Sequence, residues 1–299
     1  MWHDVIKRLR QWIGWPIEAL LVYTLIFVIR LLPPQLASAL GGGIAGILGP
    51  VSPWSWRSLF NLSYAMPELT VEERRQINRR MWNNLGRVVG EFFHIHQLIH
   101  SNRVIYEGLE HIEANKDRGG VLIGAHLGNW ELVGTPPMKL GLPVSAVFRP
   151  TNNPLVARLL RQRNAIYHKM YEKGRPGARG IGETIRKNAF FAILVDQKLR
   201  EGMMLDFFGQ KASTPVAHVK IALKEEAPIY LVRVVREKGC RFRVIVSPFE
   251  VRPDDDVVSV ASRINAEIET WIRSCPEQWL WPHRRWPASK GESPEDYKT

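Results

Sequence analysis

Gly119 to Glu131, read as Gly-Gly-Val-Leu-Ile-Gly-Ala-His-Leu-Gly-Asn-Trp-Glu, limits the fold more than any other stretch of the chain. Val121 to Ala125 is an apolar run too short for a helix and flanked by glycines, so it reads as a buried strand that delivers His126 to a sheet edge. Asn129 is a good N-cap, and Trp130, Leu132, Val133, Met138 and Leu140 continue with helical spacing until Pro136 and Pro137 disturb it. Glu131 is therefore expected in a first helical turn.

On one continuous helix His126 and Glu131 would stand about 140° apart, since each residue advances about 100°. A strand end, a tight Leu127-Gly128-Asn129 turn and a helix start instead let the carboxylate fold back on the imidazole, with Gly128 permitting the close backbone path. Such a pair suits general-base chemistry. The imidazole takes a proton from a hydroxyl, and the glutamate fixes its tautomer and stabilises the imidazolium. Free N–H groups at the helix start can stabilise an oxyanion, which suits acyl transfer, and no residue nearby needs to be a covalent nucleophile. By spacing alone a plainer reading stands beside this one, in which His126 ends a strand and Glu131 complements a helix dipole.

The 299 residues suffice for one large domain or two modest ones. A net charge of +12 calls for acidic partners: nucleic acid, anionic lipid or an acidic carrier protein. Eleven tryptophans and clustered apolar residues favour the membrane over nucleic acid, because Trp concentrates where bilayer meets water. Cys240 and Cys275 have no metal spacing and suit a reducing compartment.

Residues 1 to 14 form a basic amphipathic segment, with Lys7, Arg8 and Arg10 among Trp2, Ile6, Leu9, Trp12 and Ile13. From Ala19 to Ile29 the run is uncharged, bounded by Glu18 and Arg30 and shorter than the roughly 20 residues of a spanning helix. After Pro33-Pro34 a second apolar stretch, Leu36 to Leu48, carries Gly42 and Gly46 at close-packing spacing. A transmembrane anchor, a signal peptide ending near Ala37-Ser38-Ala39, a helix or hairpin set in one leaflet and a buried core helix all use such a run. Arg30 and the Pro-Pro pair weigh against cleavage and for a shallow or single anchor.

Trp54, Trp56, Phe60 and Tyr64 continue an interfacial surface or pack in a core. Thr70 and Glu73 make a capping box, and helical spacing from Ile77 to Ile99 predicts a helix over 71–100, broken near Gly86 or Gly90. His96 and His100 share a helix face but lack the companions of a metal site, so a solvated helix end is expected. Strands are expected at Val144 to Phe148 and Phe190 to Val195, the latter closing on Asp196-Gln197. Asp196 at a strand end can orient a basic residue or the acceptor, or cap a turn.

A helix is expected over 155–171, bearing Arg158, Arg161, Arg163 and Lys169, followed by Lys173, Arg175 and Arg179 in a glycine-containing loop. These cations are a solvated face or a phosphate site. Gly177, Gly180 and Gly182 have the wrong order for a nucleotide loop. Val216 to Glu225 and Val257 to Ile272 read as helices, Ile229 to Val235 and Phe242 to Val246 as paired strands.

The block Ala125-His126-Leu127-Gly128-Asn129-Trp130-Glu131-Leu132 resembles the HxxxxE motif of the glycerolipid and lysophospholipid acyltransferases. Its fuller form resembles the branch holding the late acyltransferases of lipid A biosynthesis. So do Asn61-Leu62 with Met66-Pro67-Glu68, Phe148-Arg149-Pro150 with Asn153-Pro154-Leu155, Asp196-Gln197, Phe207-Phe208-Gly209, Thr214-Pro215 and the closing phrase Pro276 to Trp286. The resemblance spans roughly Arg57 to Trp286 and implies that His126 and Glu131 are the catalytic dyad. It further implies that Arg149 lies in the acceptor site; Asn129, Asp196 and Gln197 join it as candidate substrate-binding residues, and Arg158 and Arg161, from their place beside the proposed site, are with Arg149 candidates for acceptor phosphates.

The implied fold is α/β, a glycerolipid-acyltransferase-like mixed sheet flanked by helices, with N-terminal membrane-associated helices. Residues 1–52 would anchor, 53–290 would form the acyltransferase domain and 291–299 a disordered tail. The implied reaction moves a fatty acyl chain from acyl carrier protein, or CoA, to a hydroxyl of a phosphorylated glycolipid, a lipid A precursor. It would run at the cytoplasmic face of the inner membrane, with no metal, no cofactor and no nucleic acid. Acylation of another membrane glycolipid or a lysophospholipid, for example a phosphatidylinositol mannoside, is the nearest alternative, and a catalytically idle binder of anionic membranes the more distant one.

Overall fold

The computed structural model describes residues 10–151, 153–157 and 166–286. A π-helical turn over Arg10–Gly14 runs into α1 (Trp15–Leu31), and the Pro33-Pro34 pair starts α2 (Pro34–Leu48), since a proline fits the first turn, whose N–H has no helical partner. The stretch Trp12–Leu31 is 20 residues long with mean hydropathy 1.8, enough by length and composition to cross a membrane. It outruns the uncharged segment because Glu18 and Arg30 lie inside the helix rather than at its ends.

Helix α3 (Ser55–Ala65) is followed by α4 (Val71–Phe92), which opens on the expected capping box: Thr70 N–H donates to Glu73 Oε2 at 2.7 Å and Glu73 N–H to Thr70 Oγ1 at 3.3 Å. The expected break at Gly86 or Gly90 is absent. Those glycines are where the backbone of α2 lies against α4: a Cβ on Gly86 would stand 2.1 Å from Gly41 O, and one on Gly90 2.4 Å from Ala37 O. The helix ends at Phe92 instead, and α5 (Ile95–Ile99) follows after His94, whose Nε2–H donates to Ile29 O at 3.0 Å. His100 Nδ1–H turns back on His96 O at 2.8 Å, and no group of side chains among the described residues has the make-up of a metal site.

Beyond this the chain alternates: β1 (Val104–Glu107), α6 (Leu109–Glu113), β2 (Gly120–Gly124), α7 (Thr135–Lys139), β3 (Val144–Phe148), α8 (Pro154–Ala157), β4 (Lys169–Glu172), α9 (Arg175–Ile185) and β5 (Phe190–Leu194). The hairpin β6 (Met203–Phe207) and β7 (Gln210–Thr214), α10 (Ala217–Lys224), β8 (Ile229–Lys238), β9 (Arg241–Phe249) and α11 (Val257–Ser274) complete it. The main sheet has seven strands in the order β1-β9-β8-β2-β5-β3-β4, parallel except for the β8–β9 hairpin. This is an α/β fold with a mixed sheet flanked by helices.

Every residue of β2 is buried, which explains its unbroken apolar sequence. Its side chains alternate between two cores: Val121 and Ile123 pack with Ile181, Val219 and Ile264, Leu122 with Leu98, Phe190 and Tyr230. Cys240 and Cys275 are both buried and free.

Two expected elements differ. Of the helix expected over 155–171, the described part is α8 alone, while residues 169–172 form an edge strand on β3; Arg158, Arg161 and Arg163 lie outside the described residues. The expected glycine loop is helix α9, whose glycines make room for neighbours: a Cβ on Gly177 would meet Val147 Cγ2 at 2.8 Å, and one on Gly180 the Tyr171 ring at 2.4 Å.

Candidate active site

Strands β2 and β5 are parallel neighbours with Gly124 opposite Leu194, and Val195 N–H continues the ladder to Gly124 O at 3.1 Å. Two residues beyond that pair, the chains carry His126 and Asp196, so strand pairing brings the two side chains together. His126 Nδ1–H donates to Asp196 Oδ1 at 2.8 Å and the His126 backbone N–H to Asp196 Oδ2 at 3.0 Å. Trp279 Nε1–H donates to Asp196 Oδ2 at 2.7 Å. Complete burial opposes charge on this carboxyl, yet the His126 charge and the hydrogen bonds from His126 and Trp279 hold it down to about 2, so it is a carboxylate at neutral pH.

With Nδ1 donating, the lone pair of His126 lies on Nε2, where the Gln197 amide donates at 3.1 Å. The imidazole is therefore held in the tautomer that can accept a proton at Nε2.

The backbone around His126 is fixed by the closing phrase of the chain. Leu127 pairs with Trp279 in an antiparallel bridge, Leu280 N–H donates to His126 O at 3.1 Å, and Gly128 N–H donates to Gln278 O at 3.0 Å. Gly128 has φ +60°, and a Cβ there would lie 2.5 Å from Val234 O, so both conformation and space require glycine. Asn129 is buried, and its amide donates to Glu91 Oε2 at 2.9 Å. Glu91 is paired in turn with Arg236, whose Nη2 donates to Glu91 Oε2 at 2.9 Å, and Ser38 Oγ–H donates to Glu91 Oε1 at 2.7 Å. The turn after His126 thus hangs on an ion pair buried between α2, α4 and β8.

The carboxylate on Nδ1 is Asp196 rather than Glu131, the residue that the sequence reading casts in that part. Two strand ends meet directly, whereas the chain after Asn129 makes only one 3-10 turn, Trp130–Leu132. That turn also replaces the expected helix N-terminus. Asn129 still caps it, taking the Glu131 N–H on Oδ1 at 3.3 Å, and Leu132 N–H goes to Asn129 O at 3.0 Å. Glu131 itself is buried, 6% exposed, and lines the same pocket as His126.

This pocket has a volume of about 780 Å³. Val147, Ile181, Phe191, Ile193 and Val216 give it an apolar wall, and Arg149, Lys173, Arg175 and Lys198 give it a cationic rim. Partial burial and the like charge of Arg149 lower the Lys173 ammonium below its ordinary range. His283 also lines the pocket; burial lowers it to about 4, and its Nε2 accepts the Lys198 N–H at 2.8 Å.

Of the site residues expected from sequence, His126, Glu131, Arg149 and Gln197 line this pocket. Asp196 and Asn129 stand behind it as hydrogen-bond partners of His126 and Glu91, and Arg158 and Arg161 lie outside the described residues. Sequence reasoning misses Trp279, His283 and Glu91. The closing phrase that contains the first two is the only signal available for them, and it says nothing of what they touch.

The profile of the bacterial lipid A biosynthesis acyltransferases matches residues 6–288. The chain belongs to this family. Among curated proteins it is similar to the lipid A biosynthesis lauroyltransferase of Escherichia coli, 27% identical over 79% of this chain and 80% of that protein. It is 28% identical to the E. coli lipid A biosynthesis palmitoleoyltransferase over 75% of this chain and 76% of that one. It is also 25% identical to a phosphatidylinositol mannoside acyltransferase of Mycobacterium tuberculosis, over 80% of this chain and 68% of that protein. A solved 1-acyl-sn-glycerophosphate acyltransferase from Thermotoga maritima aligns with 87% of this chain and 97% of its own at 16% identity and a TM-score of 0.35, too loose a superposition to add to the assignment. The protein is an O-acyltransferase of this family, with an acyl donor and a lipid acceptor as its substrates.

Proposed function

We propose that the protein transfers a fatty acyl chain from a thioester of acyl carrier protein, or of CoA, to a hydroxyl of a phosphorylated lipid A precursor at the cytoplasmic face of the inner membrane. The observation that carries this reading is the His126–Asp196 pair, set at adjacent strand ends beside a pocket with an apolar wall and a cationic rim. The acceptor hydroxyl displaces the Gln197 amide from His126 Nε2 and gives its proton to that nitrogen as its oxygen attacks the thioester carbonyl. Asp196 holds the imidazolium that forms. Collapse of the tetrahedral intermediate breaks the C–S bond, and the proton on Nε2 passes to the departing sulfur, leaving ester and thiol.

In this reading Glu131, buried in the same pocket wall, acts on the acceptor hydroxyl from the substrate side rather than through Nδ1. Arg149 and Lys173 suit acceptor phosphates, and the net charge of +12 suits both an acidic carrier and an anionic membrane. The turn over Arg10–Gly14 and helices α1 and α2 form the anchor: Trp12, Leu20, Leu21, Phe27, Leu31 and Ile47 are all more than half exposed, an apolar surface fit for lipid. Residues 53–290 carry the chemistry in this reading.

The test is acyl transfer from a radiolabelled acyl carrier protein thioester to a lipid A precursor by the purified full chain in detergent. Turnover is expected, and His126→Ala is expected to lower it by about 10²–10⁴ without loss of fold; undiminished turnover in the variant removes the general-base assignment. A parallel assay with a phosphatidylinositol mannoside acceptor decides the substrate: transfer to that lipid alone moves the protein to the activity named for the M. tuberculosis relative.

A further inference from the structure

Helix α10 carries a histidine that the reaction above does not use. His218 is 2% exposed and lines the same pocket as His126, whose apolar wall includes Val216, Ile181 and Phe191. Neither its Nδ1 nor its Nε2 has a hydrogen-bond partner among the described residues. The neighbouring histidines differ: both ring nitrogens of His126 and the Nε2 of His283 are engaged. Burial lowers His218 to about 4, so at neutral pH it is an uncharged imidazole with one N–H to give and one lone pair to fill. Folded proteins pair nearly all buried groups of this kind, and an imidazole kept without a protein partner in the wall of a substrate pocket asks for its partner from the substrate.

We propose that His218 recognises a hydroxyl on the acyl chain of the donor, so that the pocket selects hydroxylated acyl chains over plain ones. This rests on the reading of the pocket as the acyl site. A hydroxyl is the smallest neutral group that both donates and accepts, which is what a neutral imidazole lacks here. The apolar wall of the pocket disfavours ionised groups, since an unpaired charge there is costly. A plain methylene chain filling the pocket leaves both nitrogens without partners. The discrimination that follows from an unpaired buried polar group is about tenfold to a hundredfold.

The experiment compares dodecanoyl, 2-hydroxydodecanoyl and 3-hydroxydodecanoyl thioesters of acyl carrier protein with the full chain and one fixed acceptor, so that preference reports the donor chain alone. The ratio of kcat/KM for the better hydroxylated donor over the plain one is expected to be at least about tenfold. His218→Leu, which fills the site with apolar volume, is expected to bring the ratio to about one, and His218→Gln, which keeps a donor and an acceptor, to hold part of it. A wild-type ratio of one or below overturns the proposal, as does a folded His218→Leu variant that keeps the wild-type ratio. Absence of transfer from every thioester removes the acyltransfer reading of the pocket instead. Calorimetric binding of 3-hydroxydodecanoate against dodecanoate then tests His218 by itself, and equal affinities overturn it.

Discussion

His126 and Asp196 sit at the ends of hydrogen-bonded strands, backed by two sets of buried hydrogen bonds, one from Trp279 to Asp196 and one joining Asn129, Glu91 and Arg236. Arg149, on the rim of the same pocket, is exposed and is followed by a loop held to α1 through Asn153, whose amide donates to Trp15 O at 3.0 Å and Glu18 Oε2 at 3.2 Å. The floor is over-determined and the rim is not. In the floor each charge has a fixed partner and little water to screen it, so removing one group is felt at the His126–Asp196 pair. At the rim solvent screens each charge, and a substitution is felt by the ligand more than by the protein.

The comparison is broken most severely at the reacting pair. Asp196→Asn keeps the shape but removes the charge that stabilises the imidazolium in the proposed mechanism, and kcat is expected to fall by about 10²–10⁴ with a much smaller change in KM, read from steady-state kinetics. The same variant tests the linkage. Because folding depresses the Asp196 carboxyl to about 2, its ionisation contributes stability that is fully present above the ordinary value of 3.8 and is lost as pH falls toward 2. The difference between wild-type and Asp196→Asn urea midpoints should therefore shrink across that window and stay level above it; a difference flat down to pH 2 contradicts the depressed value.

Glu91→Ala comes next. It strands Arg236, whose side chain is 8% exposed, and is expected to cost about 3–5 kcal/mol in denaturant unfolding, with lower turnover because Asn129 loses its acceptor. A cost below about 1 kcal/mol would put the floor on the same footing as the rim. Arg149→Ala is milder: KM for a phosphorylated acceptor is expected to rise several-fold at low salt and less at high salt, with kcat and melting temperature nearly unchanged. The smallest effect belongs to Thr70→Ala, which removes the cap of α4 far from the pocket and should lower stability by about 1 kcal/mol while leaving kinetics alone.

The same contrast explains what is legible in the sequence. Strands β2, β3 and β5, the β8–β9 hairpin and helix α11 follow from short apolar runs, glycine punctuation and helical periodicity, all local signals. His126 at the end of β2 follows with them, and so does Asp196 at the end of β5 as a residue able to orient a basic group. Their contact does not, because it depends on β5 lying beside β2 in one particular register, and Glu131, near in sequence, takes the part by proximity. Glycines mislead for a related reason. Gly86, Gly90, Gly177 and Gly180 read as breaks or loops, yet each lies within a helix and is required by a neighbour's close approach. Lys169–Glu172 is missed as a strand because an edge strand with exposed ends carries no apolar run.

The bond from the Trp279 indole to Asp196 also bears on how the enzyme comes into being. A nascent chain that has left the ribosome only as far as Ser274 already contains the histidine and the aspartate, but not the indole or the backbone strip that pins the loop beside them. Chemical competence therefore waits until Trp279 and the strip around it have been made, and a polypeptide terminated before them is born without it.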